Sequence, residues 1–236
     1  MDFKREDFTL KNFRFESNSV LTGLLPDDLA EIDANIKYRH YKKGKTIFTE
    51  GAYPAGIFYV KEGLVKKYKN FNDSKEQIIY ICNSGELFGY AAVLSEETYP
   101  DSASTLVDSQ IGFLPKDVFL KILNRSPIFS VKLLKNLSHE YGVMANNIVS
   151  FARRNVRERL ALVLIVLKDK FKVGNNDMSQ TEICLSREDL ANTVGTAVET
   201  LVRLLHDFKD EGLIAVHGRT IVLLNESALV KAAHLF

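Results

Sequence analysis

Residues 185–216 read LSREDLANTVGTAVETLVRLLHDFKDEGLIAV, and the fold turns on this stretch. Ser186 is a candidate N-cap, followed by charged first-turn residues and then by Leu190, Ala191 and Val194 at apolar helical positions. Gly195 ends the first helix, because only glycine takes φ > 0 there without strain. Thr196 is placed to cap a second helix, with Glu199 three residues on to complete a capping box. Val198, Leu201, Leu205 and Phe208 follow at helical spacing. A short helix, a glycine turn and a second capped helix make a helix-turn-helix. DNA readers lay the second helix of such a unit in the major groove, and other folds use the same pair simply to pack.

The sequence that follows, EGLIAVHGRTIVLLN (residues 211–225), adds a β-hairpin: Ile214–Val216, a His217-Gly218-Arg219 turn, then Thr220–Leu224. The helix-turn-helix therefore carries a wing. Charge does not decide its partner. The whole chain has a formal net charge of +1, and from Arg153 onward there are 12 Lys+Arg against 11 Asp+Glu, again +1. A case for nucleic acid rests instead on local placement: Arg153, Arg154, Arg157 and Arg159 before the unit, Arg187 and Arg203 within it, and Arg219 in the wing.

A chain of 236 residues has room for one large or two modest domains. Hydrophobic content of 46% and charged content of 26% fit a soluble globular protein. The start, MDFKREDFTLKNFRFE, lacks the apolar core of a signal peptide, and the run Leu160–Leu167 is far too short to span a bilayer. Only Cys82 and Cys184 are present, without CxxC spacing, so a reducing cytoplasm is expected, with no metal site. Each cysteine reads as a small buried hydrophobe.

Toward the N-terminus, Val20–Ile36 is helical, with Pro26-Asp27-Asp28 as a helix start. From Tyr38 short β-rich runs alternate with glycine turns: Thr46–Thr49, Ile57–Val60, Leu64–Tyr68, Gln77–Ile81, Ser102–Val107 and Gln110–Leu114. That pattern predicts a sandwich or jelly-roll barrel. After Pro115 the signal is helical, first over Lys116–Leu123, then over Ile128–Phe151. In the second, Val131, Leu134, Leu137, Tyr141, Met144, Ile148 and Phe151 recur at three- and four-residue steps, an apolar seam suited to pairing with a second copy. Arg153-Arg154-Asn155 interrupts the seam and marks a hinge. Val156–Phe171 is a further helix with Leu160, Val163, Leu164 and Leu167 inward, Gly174–Asp177 a loop, and Glu182–Leu185 one more strand.

Glycine-punctuated barrel, long helix, arginine-rich hinge and winged helix-turn-helix, in that order, resemble the cyclic-AMP receptor protein and fumarate–nitrate regulator (Crp/Fnr) family from about Asp27 to Asn225. IFTEGAYPAGIFYVKEG (residues 47–63) is similar to the first cyclic-nucleotide-domain signature, with Gly51, Ile57–Val60 and Gly63 in register and Pro54 off the pattern. The resemblance implies an α+β protein. A cyclic-nucleotide-binding-like jelly-roll barrel with flanking helices would occupy residues 1–125, a dimerisation helix 126–152 and a winged helix-turn-helix DNA-binding domain 153–236.

In the cyclic-AMP binders the second signature supplies a Glu to the ribose and an Arg to the phosphate. Here Gly89-Tyr90 and Asp101-Ser102 stand in those places, and Met144 and Ala145 fall where the long helix carries hydroxyls against the adenine. A carboxylate repels a cyclic phosphate by about several kcal/mol at an effective dielectric near 20. Cyclic AMP is therefore not expected as effector. The cysteine ligands of the iron–sulfur branch are missing from the N-terminus. His40 and His139 are conceivable haem ligands, though a lone histidine is more often a surface or core residue, and no cofactor is expected.

In the second helix the resemblance implies base readout by Val198, Glu199, Val202 and Arg203. Arg203 can donate bidentately to guanine O6 and N7, and Glu199 can accept from a cytosine amino group. The implied half-site is TTGAT-like, with Val202 replacing the serine of the fumarate–nitrate branch. Arg157, Ser186, Arg187, Thr196, Thr200, His217 and Arg219 would position the DNA backbone. The implied partners are double-stranded DNA, a second copy of the chain, RNA polymerase and an unknown small-molecule effector, with no membrane. A barrel that senses a metabolite, nucleotide or haem, with C-terminal helices serving protein contacts, is the alternative. No paired carboxylates, nucleophile elbow or phosphate loop suggests an enzyme.

Overall fold

The computed structural model describes residues 20–71, 75–172 and 182–234, so the N-terminal reading and the Gly174–Asp177 loop lie outside the described residues. Two compact units divide within one long helix. The first contains residues 20–70 and 79–140, and the second residues 71, 75–78, 141–172 and 182–234.

The first unit opens with α1 (Pro26–Asn35), whose proline at N1 and acids Asp27 and Asp28 start the helix as expected. Eight strands follow: β1 (Lys37–Tyr41), β2 (Thr46–Phe48), β3 (Gly56–Glu62), β4 (Leu64–Phe71), β5 (Lys75–Asn83), β6 (Leu87–Phe88), β7 (Ser102–Thr105) and β8 (Ser109–Pro115). They form two four-stranded sheets, ordered β1-β8-β3-β6 and β2-β7-β4-β5. The jelly-roll expectation holds, with three additions. β1 (KYRHY) is polar and exposed on nearly every residue, so alternation could not mark it. β6 has only two residues, and the short helix α2 (Tyr90–Ser95) follows Gly89, which takes φ +77°.

Inside the barrel Phe48, Phe58, Phe88 and Tyr99 pack with Val60, Val65, Cys82 and Ile111. The Phe48 and Tyr99 rings stack at 3.8 Å between centroids. A second core lies under the helices: Ile32 of α1, Phe119 and Ile122 of α3 (Lys116–Arg125), and Phe129 and Leu133 of the long helix meet Ile57, Leu87 and Leu114. Arg125 ties α3 to α1 through Asp28 at 2.6 Å and Glu31 at 2.7 Å.

The long helix α4 (Pro127–Arg153) has 27 residues, roughly 40 Å at 1.5 Å per residue. Phe129, Leu133 and Val143 are buried. The seam lies elsewhere on the helix: Val131, Leu134, Leu137, Tyr141, Met144, Ile148 and Phe151 are all exposed.

In the second unit α5 (Val156–Lys172) starts after the break at residues 154–155 and buries Leu160, Leu164, Ile165 and Leu167. It packs on α6 (Arg187–Val194), on β9 (Glu182–Cys184) and on α8 (Glu226–Ala232). α7 (Val198–Asp210) packs on α6 and on β10 (Ile214–His217), which pairs with β11 (Thr220–Leu223), and β11 pairs with β9. Ile183 points inward on β9 and its neighbours outward, so Cys184 is exposed, contrary to the expectation of a buried thiol; alternation along the strand is the reason.

Candidate nucleic-acid interface

The helix-turn-helix is fixed by caps and by a clamp on its turn. Ser186 Oγ accepts from the Asp189 amide at 3.0 Å, which caps α6, and donates to the Asp189 carboxylate at 2.5 Å. Gly195 takes φ +72°, and the amides of Gly195 and Thr196 both donate to Ala191 O, at 2.9 and 3.1 Å. Thr196 therefore belongs to the turn that closes α6. The expected Thr196 cap gives way to Ala197, whose extended backbone starts α7 without a side-chain hydrogen bond. Arg159 of α5 then grips the turn. Its guanidinium donates to Val194 O at 2.9 Å, Gly195 O at 3.1 Å and Arg154 O at 2.9 Å. Burial lowers its pKa from the usual arginine value. A Cβ on Gly195 would come within 2.7 Å of the Phe151 ring, so the site excludes a side chain by space as well as by φ.

α7 has two unlike faces. Leu201, Leu205 and Phe208 are buried. Val198, Glu199, Val202 and Arg203 are exposed together, one turn apart in two rows, with Val198 37% and Val202 49% exposed. Two valines in water beside an acid and an arginine make a face that suits base edges: methyl contacts to thymine, an acceptor for cytosine and a forked donor for guanine. Neither Glu199 nor Arg203 is tied to another side chain among the described residues. Sequence reasoning placed these four residues on one helix, and the structure brings them onto one exposed surface. His206 follows on the same side, in an ion-pair position 3.0 Å from Asp210.

The residues expected at the DNA backbone divide into two kinds. His217 and Arg219 are exposed on the wing, and Thr196 and Thr200 are half-buried at the start of α7. Arg187, Arg157 and Ser186 already serve the fold. Arg187 donates to Gly218 O at 2.7 Å, joining the start of α6 to the wing turn, and burial lowers its pKa. Arg157 holds both Glu211 oxygens at 2.6 and 2.7 Å and lies over the Phe208 ring, bracing the end of α7.

In the barrel, Gly89, Tyr90 and Asp101 of the expected effector position line one small cavity and Ser102 does not, and what surrounds them was not legible. Lys67 of β4 places its ammonium 3.1 Å from the Asp101 carboxylate, with the two side chains 16% and 6% exposed. Tyr90 donates its hydroxyl to Glu140 of α4 at 2.5 Å, and Asn136 donates to both, at 2.9 and 2.8 Å. Tyr80 donates to Glu86. Ser102 accepts from the Glu50 amide at 2.9 Å. The cavity among these groups is about 20 Å³, room for about one water, whereas a small-molecule site needs roughly 300–1,000 Å³. Met144 and Ala145 are exposed on the part of α4 that belongs to the second unit, and His40 and His139 do not line the cavity.

Electrostatics follow the geometry. Burial pushes the Tyr80 and Tyr90 phenols far above the tyrosine range, with Glu86 and Glu140 respectively adding to it. Burial raises the Glu140 carboxyl, and the Lys67 charge opposes that rise. For Lys67 itself burial works against the charge, but the Asp101 carboxylate and the groups behind it prevail, and the ammonium is held above its ordinary value.

Among the described residues no three His, Cys, Asp or Glu side chains are placed to hold a metal, and no helix is long and apolar enough to cross a membrane.

Comparison with known proteins agrees with this anatomy. Residues 38–126 match the cyclic nucleotide-binding domain family and residues 158–232 the Crp-like helix-turn-helix domain family. The chain is 25% identical to the fumarate and nitrate reduction regulatory protein of Vibrio cholerae, over 87% of this chain and 82% of that protein. It is 26% identical to the transcriptional activator protein Anr of Pseudomonas aeruginosa, over 89% and 86%. Among solved structures, FixK2 of Bradyrhizobium japonicum superposes with a TM-score of 0.73 at 23% identity, covering 84% of this chain and 96% of that one. A Crp/Fnr-family regulator from Eubacterium rectale gives 0.71 at 18%, covering 89% and 95%. A nucleotide-domain barrel, a long helix and a winged reading head, matched at both ends and along most of the length by such relatives, place this chain in the Crp/Fnr family of DNA-binding transcription regulators.

Proposed function

We propose that the chain acts in the cytoplasm as a homodimeric regulator that reads a palindromic, TTGAT-like duplex without cyclic AMP. The observation that carries this reading is the exposed face of α7, where Val198, Glu199, Val202 and Arg203 stand free of the core. Arg203 reads guanine, Glu199 accepts from cytosine, and the two valines favour thymine methyls. Thr196, Thr200, His217 and Arg219 hold phosphates. Arg157, Ser186 and Arg187 support the same contacts by fixing the end of α7, the start of α6 and the wing.

The homodimer is supported by the seam on α4. Seven apolar residues at three- and four-residue steps are exposed on one helix, as in a strand of a coiled coil lacking its partner. A two-fold protein matches a two-fold site whose half-sites lie about 34 Å apart, one turn of DNA. RNA polymerase is the further partner that the family resemblance implies.

The effector is a different matter from that of the cyclic-AMP binders. Tyr90 and Asp101 replace the ribose and phosphate contacts, and the space between them is filled by protein.

The test is selection of bound duplexes from a random pool by the purified protein at fixed salt, with light scattering for mass. The expected result is a dimer that enriches a two-fold site with G·C pairs one helical turn apart. Enrichment of nothing, or binding that varies only with salt, would overturn it.

A further inference from the structure

The barrel cavity has the wrong sign for a nucleotide. Asp101 and Glu140 line it, Glu86 accepts from the Tyr80 hydroxyl, and among the described lining residues the cation is Lys67, paired with Asp101. That cation is the chain's own. The Lys67 side chain leaves β4, enters the cavity and ends 3.1 Å from Asp101, at the position the family reserves for the phosphate contact. Its charge also acts on Glu140, the α4 carboxylate that Tyr90 and Asn136 hold by hydrogen bonds. The remaining space is about 20 Å³.

We propose that this cavity is a primary-ammonium site whose resident ligand is Lys67, so that an internal cation stands where relatives in the family use an external anionic nucleotide. The inference rests on reading the barrel as a sensor-type domain. Its chemistry is specific. An alkylammonium fits because it is narrow, donates hydrogen bonds and balances carboxylates in a place of restricted water. A cyclic phosphate is excluded by charge and by volume. The ion pair fixes the Asp101 loop to β4, and Tyr90 and Asn136 fix Glu140 beside it, so α4 is held to the barrel without any small molecule.

Chemical rescue tests this on the full chain. Lys67→Ala removes a propylammonium fragment and leaves Asp101 unpaired in a cavity. The melting temperature is expected to fall by roughly 5–10 °C, because breaking one side of a buried pair strands the other. Adding n-propylammonium chloride at tens of millimolar should recover most of that loss in the variant and nothing in the wild type. Equal n-propanol or sodium chloride should not. An unchanged melting temperature in Lys67→Ala, or equal shifts of variant and wild type with the amine, would overturn the proposal.

Should Lys67→Ala fail to fold, the native chain still answers. In 15N-labelled wild type the Lys67 ammonium should give a slowly exchanging signal of its own, lost in Asp101→Asn; only rapidly exchanging lysine signals would overturn it. Neither readout uses DNA. A failed rescue therefore condemns the ammonium site alone, and failed duplex selection condemns the regulator reading alone.

Discussion

The reading head and the barrel cavity come from the same family inheritance and have been treated in opposite ways. In the reading head the residues proposed to meet bases are exposed: a capped α6 and a glycine turn gripped by Arg159 lead to a second helix with Glu199 and Arg203 facing out. In the cavity two residues expected to meet a ligand are paired with other side chains, Asp101 with Lys67 and Tyr90 with Glu140. Polar groups kept exposed are available to a partner, and polar groups buried and paired are not. On the proposed reading, the difference distinguishes a surface open to a partner from a cavity that its own side chains fill.

The contrast can be broken most severely at α4. Ile148→Glu puts two carboxylates into the proposed seam, and a monomer is expected by light scattering. Losing the second reading head should weaken binding to a two-fold duplex by about 10²–10⁴; an unchanged dimer would refute the seam. Next in size is the reading face. Arg203→Ala should cost about 1–3 kcal/mol on the selected site and relax preference at one base pair, measured by competition titration. Equal losses on every sequence would make Arg203 a phosphate contact.

The turn comes next. Gly195→Ala meets both a positive φ and the Phe151 ring, and a loss of about 1–3 kcal/mol in the unfolding of the C-terminal unit is expected by denaturant titration. A neutral effect would show that the turn relaxes freely.

The mildest probe is alkaline pH, and it addresses the cavity. Lys67, Tyr80 and Tyr90 all have folded pKa values above their ordinary ones. A raised folded pKa means stability that is complete below the unfolded value and lost as pH rises toward the folded one. The melting temperature should therefore fall by a few degrees as pH passes through about 10–10.5, and less in Lys67→Met. A flat profile would contradict the burial of these groups.

How much of this was legible depends on how far apart the cooperating residues lie. Ser186 and Asp189 are three residues apart, Gly195 is a turn by its own backbone, and Leu201, Leu205 and Phe208 declare a helix face by spacing, so local rules were enough. Even there Thr196 misled, because its amide closes α6 and only the three-dimensional turn reveals it. In the cavity, Asp101 and Tyr90 implied by resemblance that the family's contacts were gone. That Lys67 meets Asp101 and Glu140 meets Tyr90 depends on pairing between β4, the loop before β7, α2 and α4, which no spacing rule encodes. Strand β1 escaped for a related reason, its polar, exposed sequence giving no alternation.

The central claim is that a working reading head is joined to a barrel that needs no nucleotide. It is tested most directly by titrating the selected duplex with nucleotide-free protein at fixed salt, alone and with cyclic AMP at millimolar concentration. Tight binding to the selected site over a scrambled one, with superimposable curves in the two conditions, is the predicted result. Specific binding that emerges only when the nucleotide is added would contradict the account.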